Sequence, residues 1–378
     1  MKINLCDNKL HLSFAPLTLT KPIAELRVGI LTNVERYKLF FPNCSFGFTT
    51  EPFLQKKYPK LDTDLIVNAN VIPSEELCVA IHNLQADEAL FQQEELVAYR
   101  GAGKHKISLV GTPLIVITNR WDLFLKNDEI VKSDFILLTK NRKSQKLSKS
   151  NLLIGKESDL FIEEGAKIEG ATLNTTTGPI YVGKNAEIME GSLLRGALSL
   201  GENSVVKMGS KIYGACTIGP GCKVGGELNN VLFQSNSNKA HDGFLGNSII
   251  GSWCNLGADS NCSNLKNNYS TVSSYNFNSK KEEKSPLQFM GISMGDYSKC
   301  GINTMFNTGS VIGVSSNIFG AGFPPKYISS FKWGGNQQEQ YDFEKAIESI
   351  NRMMARRNQR LSKEETELLE HIQKHFSE

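Results

Sequence analysis

The sequence has no Cys-x-x-Cys pair, so its eight cysteines form no zinc-finger or dithiol redox motif. No apolar run reaches the roughly 20 residues that a membrane-spanning helix needs. The opening stretch MKINLCDNKLHLSF lacks the continuous apolar core of a secretory signal. Positive charge is not concentrated either. The net charge is +3 with both signs dispersed, and no basic tract is interleaved with aromatics. These absences argue against disulfide scaffolds, membrane proteins and nucleic-acid binders. The expectation is a cytoplasmic protein with reduced thiols. Histidine is scarce as well, and His241 is the only one between residues 106 and 370.

What is present is a period of six. From Val182 the chain places an aliphatic residue at every sixth position: Ile188, Leu194, Leu200, Val206, Ile212, Ile218 and Val224. Four residues after each comes Ala186, Ser192, Leu198, Ser204, Ser210, Cys216, Cys222 or Leu228, and six of these eight are small. Neither the helical period of 3.6 nor the strand period of two gives this spacing. Hexads are the sequence sign of a parallel β-helix, in which a lead aliphatic points inward and a small residue allows the corner. The pattern resumes at Ile250, Leu256 and Cys262, then at Met294, Cys300, Phe306, Ile312 and Ile318, and traces back weakly to Ile154, Ile162 and Ile168. Most cysteines fall on lead or small positions, where they are compact apolar fillers. Residues 229–270 and 271–289 read as interruptions of the repeat.

Before residue 150 the hexads are absent. Residues 3–6, 65–72 and 113–118 read as strands, and 51–58, 75–84 and the segment after 118 as helices, an α/β alternation. The basic run 140–150 reads as a solvated linker. At the other end, residues 339–359 and 363–376 read as two helices, with Phe343, Ile347, Ile350 and Met354 at helical spacing. They suit a capping arm for the last coil. The organisation expected is an α/β domain over 1–150, a β-helix over 151–325 and a helical tail over 326–378.

The stretch PLTLTKPIAELRVGIL (16–31) resembles the corresponding segment of sugar-nucleotide pyrophosphorylases. That resemblance implies nucleotide or phosphate contacts for Lys21 and Arg27. In that superfamily a glycine-rich loop comes first, yet CDNKLHLSFA has no glycine, and Asn70 stands where a magnesium-binding aspartate is expected. Weak or no nucleotide binding follows, with Mg²⁺ required only if this domain is active.

NKAHDGFLG (238–246), NLGAD (255–259) and CSNLKN (262–267) resemble motifs of the bifunctional uridylyltransferase and glucosamine-1-phosphate acetyltransferase family. The whole chain is similar to a divergent, shortened form of it. The resemblance implies a left-handed parallel β-helix, a homotrimer and acetyl-CoA as acyl donor. It implies His241 as general base, a role that suits a group titrating near neutrality. Asn255, Lys239 and Phe244 would meet an amino sugar or sugar phosphate, and Asn264 and Lys266 the coenzyme. The family has tyrosines where Phe244 and Leu265 stand, which points to a different acceptor. Three readings result: an acyl-CoA-dependent acyltransferase, a bifunctional nucleotidyltransferase and acyltransferase, or a non-catalytic hexapeptide scaffold or regulatory subunit. No metal site is expected, because a zinc-binding hexapeptide enzyme needs three histidines.

Overall fold

A computed structural model describes residues 1–378. They divide into two compact units, Met1–Leu26 with Leu31–Arg120 and Arg27–Ile30 with Trp121–Glu378.

The first unit is built on β1 (Lys2–Cys6), whose apolar residues Ile3 and Leu5 are fully buried. β1 lies between β2 (Ser45–Thr49) and β3 (Leu65–Asn68), parallel to both. β4 (Glu88–Gln92), β5 (Glu95–Arg100) and β6 (His105–Ser108) complete a six-stranded sheet in the order β2-β1-β3-β5-β4-β6. α1 (Asn33–Phe40) opens with a capping box between Thr32 and Glu35, and Ser74 caps α2 (Glu75–Asn83). The helix expected over 51–58 is only a short turn at Pro52–Leu54. Pro59 disfavours helical backbone at Tyr58, and the Pro59 carbonyl accepts the Phe48 amide of β2. The strand expected over 113–118 is reduced to a single bridge between Val71 and Val116.

The second unit contains a parallel β-helix. Three stacks of short strands form its faces, with eight, nine and ten strands. We call them face 1 (the Leu193–Arg195 stack), face 2 (the Leu198–Leu200 stack) and face 3 (the Val205–Val206 stack). The lead positions stack in register, as Ile188 on Val206 and Val206 on Val224. All eight leads from Val182 to Val224 are at most 2% exposed.

Two sequence expectations need correction. In the first coil the inward residue is Leu153, which aligns with Leu173, whereas Ile154 is 40% exposed. A coil whose face 1 has only one neighbour does not enforce the pattern. More important, the prism is not interrupted over 229–262. It continues through inward positions 228, 233, 239, 245, 250, 256 and 262. The register slips because Val224 is followed after four residues, not six, by Leu228, a lead rather than a small partner, and because the steps from 228 to 233 and from 245 to 250 take five. Residues 225–226 make a corner that elsewhere takes four residues, such as 207–210. Only the stretch between Cys262 and Ile292 leaves the prism, carrying a hairpin of Ser273–Asn276 and Lys281–Lys284. The stacked rings of Tyr275 and Tyr327, with centroids 3.5 Å apart, hold this hairpin down.

The run 140–150 does more than link. Gln145 bonds the Ala166 carbonyl and the Gly165 amide, and Asn151 bonds the Ile168 carbonyl and the Ala171 amide, which caps the first coil. Face 2 is covered by α4 (Asn127–Thr139), which follows the single turn α3 (Asp122–Leu125), and by Arg27–Ile30. Thr217 donates to Gly29 O at 2.6 Å and to Asn127 Oδ1 at 3.0 Å. Face 3 receives α5 (Phe343–Ala355), where Lys299 Nζ bonds Ser349 Oγ at 2.7 Å. α6 (Lys363–Phe376) closes the final coil through the Ser330 amide and the Phe376 carbonyl. Face 1 keeps an open outer surface with exposed Leu152 and Leu193.

Candidate functional site

The corner between faces 3 and 1 sets the chemistry. In three coils its small residue turns a hydroxyl inward onto the carbonyl three residues earlier. Ser260 Oγ donates to Gly257 O at 2.7 Å, Thr304 Oγ1 to Gly301 O at 2.8 Å, and Ser210 to Lys207 O. The coil of Ala171 lacks this hydroxyl, and so do two successive coils further on. The short Gly225–Gly226 corner has no such position, and in the next coil the position is Gly243.

Lys239 fills the gap. It occupies an inward lead position, stacked on Val224, and is fully buried. Its ammonium donates to Gly225 O (3.2 Å), His241 O (2.7 Å) and Asp242 O (3.1 Å), so all three protons have acceptors. Burial pushes its pKa down to about 8, partly offset by Asp242 and Asp259. Lys239 therefore cannot meet a phosphate at the surface, contrary to the sequence expectation. A lysine at a lead position also hides the hexad from sequence inspection.

His241 lies on the outside of that corner, exposed, and its imidazole makes no hydrogen bond within the chain. Exposed Asp242 and Asp259 occupy equivalent places in consecutive coils, joined by the Asp259 amide and the Asp242 carbonyl. Because Gly225–Gly226 is short, the 207–210 corner is left uncovered. A Cβ at Gly209 would meet nothing within 4 Å, whereas one at Gly226 would lie 3.0 Å from His241 O. The surface over Gly209 is therefore open, and Met208 beside it is 68% exposed.

The other expected residues fall elsewhere. Phe244 and Asn264 meet at Gly246, where a Cβ would lie 2.8 Å from Phe244 Cζ and 2.4 Å from Asn264 Nδ2. They occupy face 1 and its far edge, across the strand from His241. Asn264 Nδ2 donates to Asn247 Oδ1 at 2.8 Å. Its own Oδ1 takes no bond in the chain, which fits an acceptor for the amide N–H of an acyl-pantetheine arm. Asn255 is exposed on face 3 beside Asn238, where Arg357 from the turn after α5 approaches. Lys266 is spent on its own loop, donating to Thr271 O at 2.8 Å. The single chain thus brings Phe244 and Asn264 together, but not His241, Asn255 and Lys266.

In the first unit a cavity of about 570 Å³ opens at the carboxyl ends of β1, β2 and β3. Cys6, Asp7, Asn8, Lys9, Thr50 and Tyr99 are among its walls. This is where ligands sit in open α/β sheets. Asn8 and Lys9 adopt left-handed φ of 46° and 62° immediately after β1, without glycine. Neither Lys21 nor Arg27 reaches the cavity. Lys21 is buried, and Arg27 lies against face 2, its backbone paired with the Gln234 side chain at 2.7 and 3.0 Å. Sequence reading passed over Lys9 because it expected glycine there. The cavity does not fit a magnesium ion. The Asp7 carboxylate is taken by His11, Thr50 and the Ile23 amide. Asn70 is fully buried, and no three metal-ligating side chains cluster anywhere.

Residues 3–143 match the family model described as sugar nucleotidyl transferase. No curated protein matches the sequence. Among solved structures, the chain is similar to the UDP-N-acetylglucosamine acyltransferase from Campylobacter jejuni, at 10% identity and a TM-score of 0.32, over 61% of this chain and 97% of that one. It is also similar to the polySia specific acetyltransferase NeuO, at 12% identity and a TM-score of 0.27, over 51% and 82%. The Arabidopsis UDP-N-acetylglucosamine acyltransferase matches at 11% identity and a TM-score of 0.28, over 56% and 77%.

Proposed function

We propose that the β-helix catalyses acyl transfer from an acyl-CoA to the amine of an amino sugar or sugar phosphate, with His241 as general base. The observation that carries this reading is the exposed, unpartnered imidazole of His241 on a corner anchored from inside the prism. In the reaction the acceptor nitrogen attacks the thioester carbonyl while His241 takes its proton. The C–S bond then breaks, and the coenzyme leaves as the thiol with a proton returned from the imidazolium. Asp242 and Asp259 beside it would draw an acceptor that arrives as an ammonium and gives one proton to water before its nitrogen attacks. Asn264 would hold the pantetheine arm, with acetyl-CoA the donor to try first. Three copies joined through the open face 1 would bring residues now on different edges into shared sites. A thiol-release assay with acetyl-CoA across a panel of amino sugar phosphates tests the reading, and no release with any acceptor would count against it.

The cavity in the first unit favours a second, additional reading. It would hold a nucleotide or sugar nucleotide as a binding site without metal-dependent transfer, since Asp7 is engaged by His11, Thr50 and the Ile23 amide and Asn70 carries no carboxylate.

A further inference from the structure

A charged residue in the aliphatic interior of a β-helix is costly unless every proton is bonded. Lys239 sits among Val224, Leu256 and their neighbours at a place where an aliphatic side chain would fit. What an aliphatic residue could not do is donate to the backbone carbonyls that turn inward at these corners. Two of those carbonyls belong to His241 and Asp242. The ammonium therefore grips the backbone of the one segment that displays the exposed imidazole.

We propose that Lys239 is a positioning residue for His241. The two-residue shortening at Gly225–Gly226 and the buried lysine form one device: the first leaves the 207–210 corner uncovered, and the second fixes the corner that carries His241. Without the lysine, the His241 carbonyl would face inward with no donor while the Asp242 carbonyl kept only the Asp259 amide, and segment 240–243 would relax toward water. The imidazole would then lose its fixed place, although it touches nothing that had been removed. The assignment of a catalytic consequence rests on the acyl-transfer reading; the mechanical part does not.

The test uses full-length Lys239→Met, the milder Lys239→Gln, and Val224→Ala as a control that truncates the directly stacked lead. Hydrogen exchange followed by mass spectrometry should show peptides covering 240–244 exchanging at least about tenfold faster in both Lys239 variants. Val224→Ala at a matched loss of Tm should leave them unchanged. With an acceptor in hand, kcat should fall by about 10- to 100-fold in Lys239→Gln while the acetyl-CoA KM stays within about twofold. Unchanged exchange at 240–244 in Lys239→Gln, or an equal kcat loss in Val224→Ala, overturns the proposal. Faster exchange with no turnover by any protein form supports the positioning and counts against the acyl-transfer reading instead.

Discussion

The Lys239 ammonium donates to the carbonyl oxygen of His241 at 2.7 Å from inside the prism, so the exposed imidazole and the buried cation share one corner. The interior of this β-helix is thus used to hold a surface residue, and core substitutions divide into those that affect the corner and those that affect only the fold.

Ile212 belongs to the second kind. It is 1% exposed and stacked between Leu194 and Leu228. Ile212→Asp buries a carboxylate with no partner, at a cost of several kcal/mol against the roughly 5–15 kcal/mol that sustains a domain. The variant should fail to accumulate as soluble protein. A well-folded product, judged by circular dichroism and size-exclusion chromatography, would refute the register.

Alkaline pH should weaken the prism. Burial pushes the thiols of Cys216, Cys222 and Cys262 up to about 12, above the roughly 8.5 of an unfolded thiol. Their contribution is fully present below about pH 8.5 and is lost as pH rises toward 12. Lys239 runs the other way. Its pKa is pushed down to about 8, so its share rises between about 8 and the roughly 10.4 of an unfolded lysine. Three thiols outweigh one lysine. The urea midpoint should be lower at pH 10 than at pH 7.5; a higher midpoint would contradict this.

The family resemblance implies a homotrimer, and we propose that face 1, left open in the single chain, joins the copies. Multi-angle light scattering at micromolar concentration should give three times the 41.9 kDa chain mass. A monomer would remove the shared-site arrangement.

The first unit should not transfer nucleotides. With UTP or dTTP, calorimetry should give weak binding that Mg²⁺ does not tighten, and no pyrophosphate should be released. Magnesium-dependent binding in the low micromolar range would restore the bifunctional reading.

Much of this was legible in the sequence. Hexads of Val, Ile and Leu allow few backbones other than stacked coils, and the helix read over 363–376 is α6, which the structure shows to open with a capping box of Ser362 and Glu365. What escaped is physical in origin. Deleting two residues at Gly225–Gly226, and one each before Phe233 and Ile250, shifts the hexad frame while the coils stay whole, so 229–262 looked like a break. Lys239 looked like a surface cation because nothing local shows that three carbonyls converge inside the prism. Asn8 and Lys9 take left-handed backbone without glycine, which concealed the turn after β1. Arg27 lies close in sequence to the α/β unit but pairs with Gln234, some two hundred residues away.

The most direct measurement is the acyl-transfer rate of His241→Ala with an acceptor identified on the wild-type protein. The account predicts a loss of about 10²–10⁴-fold with coenzyme binding and trimer content intact. Partial recovery is expected at high pH, where the acceptor amine is already deprotonated. A His241→Ala protein that folds, assembles and acylates that acceptor at the wild-type rate would contradict it.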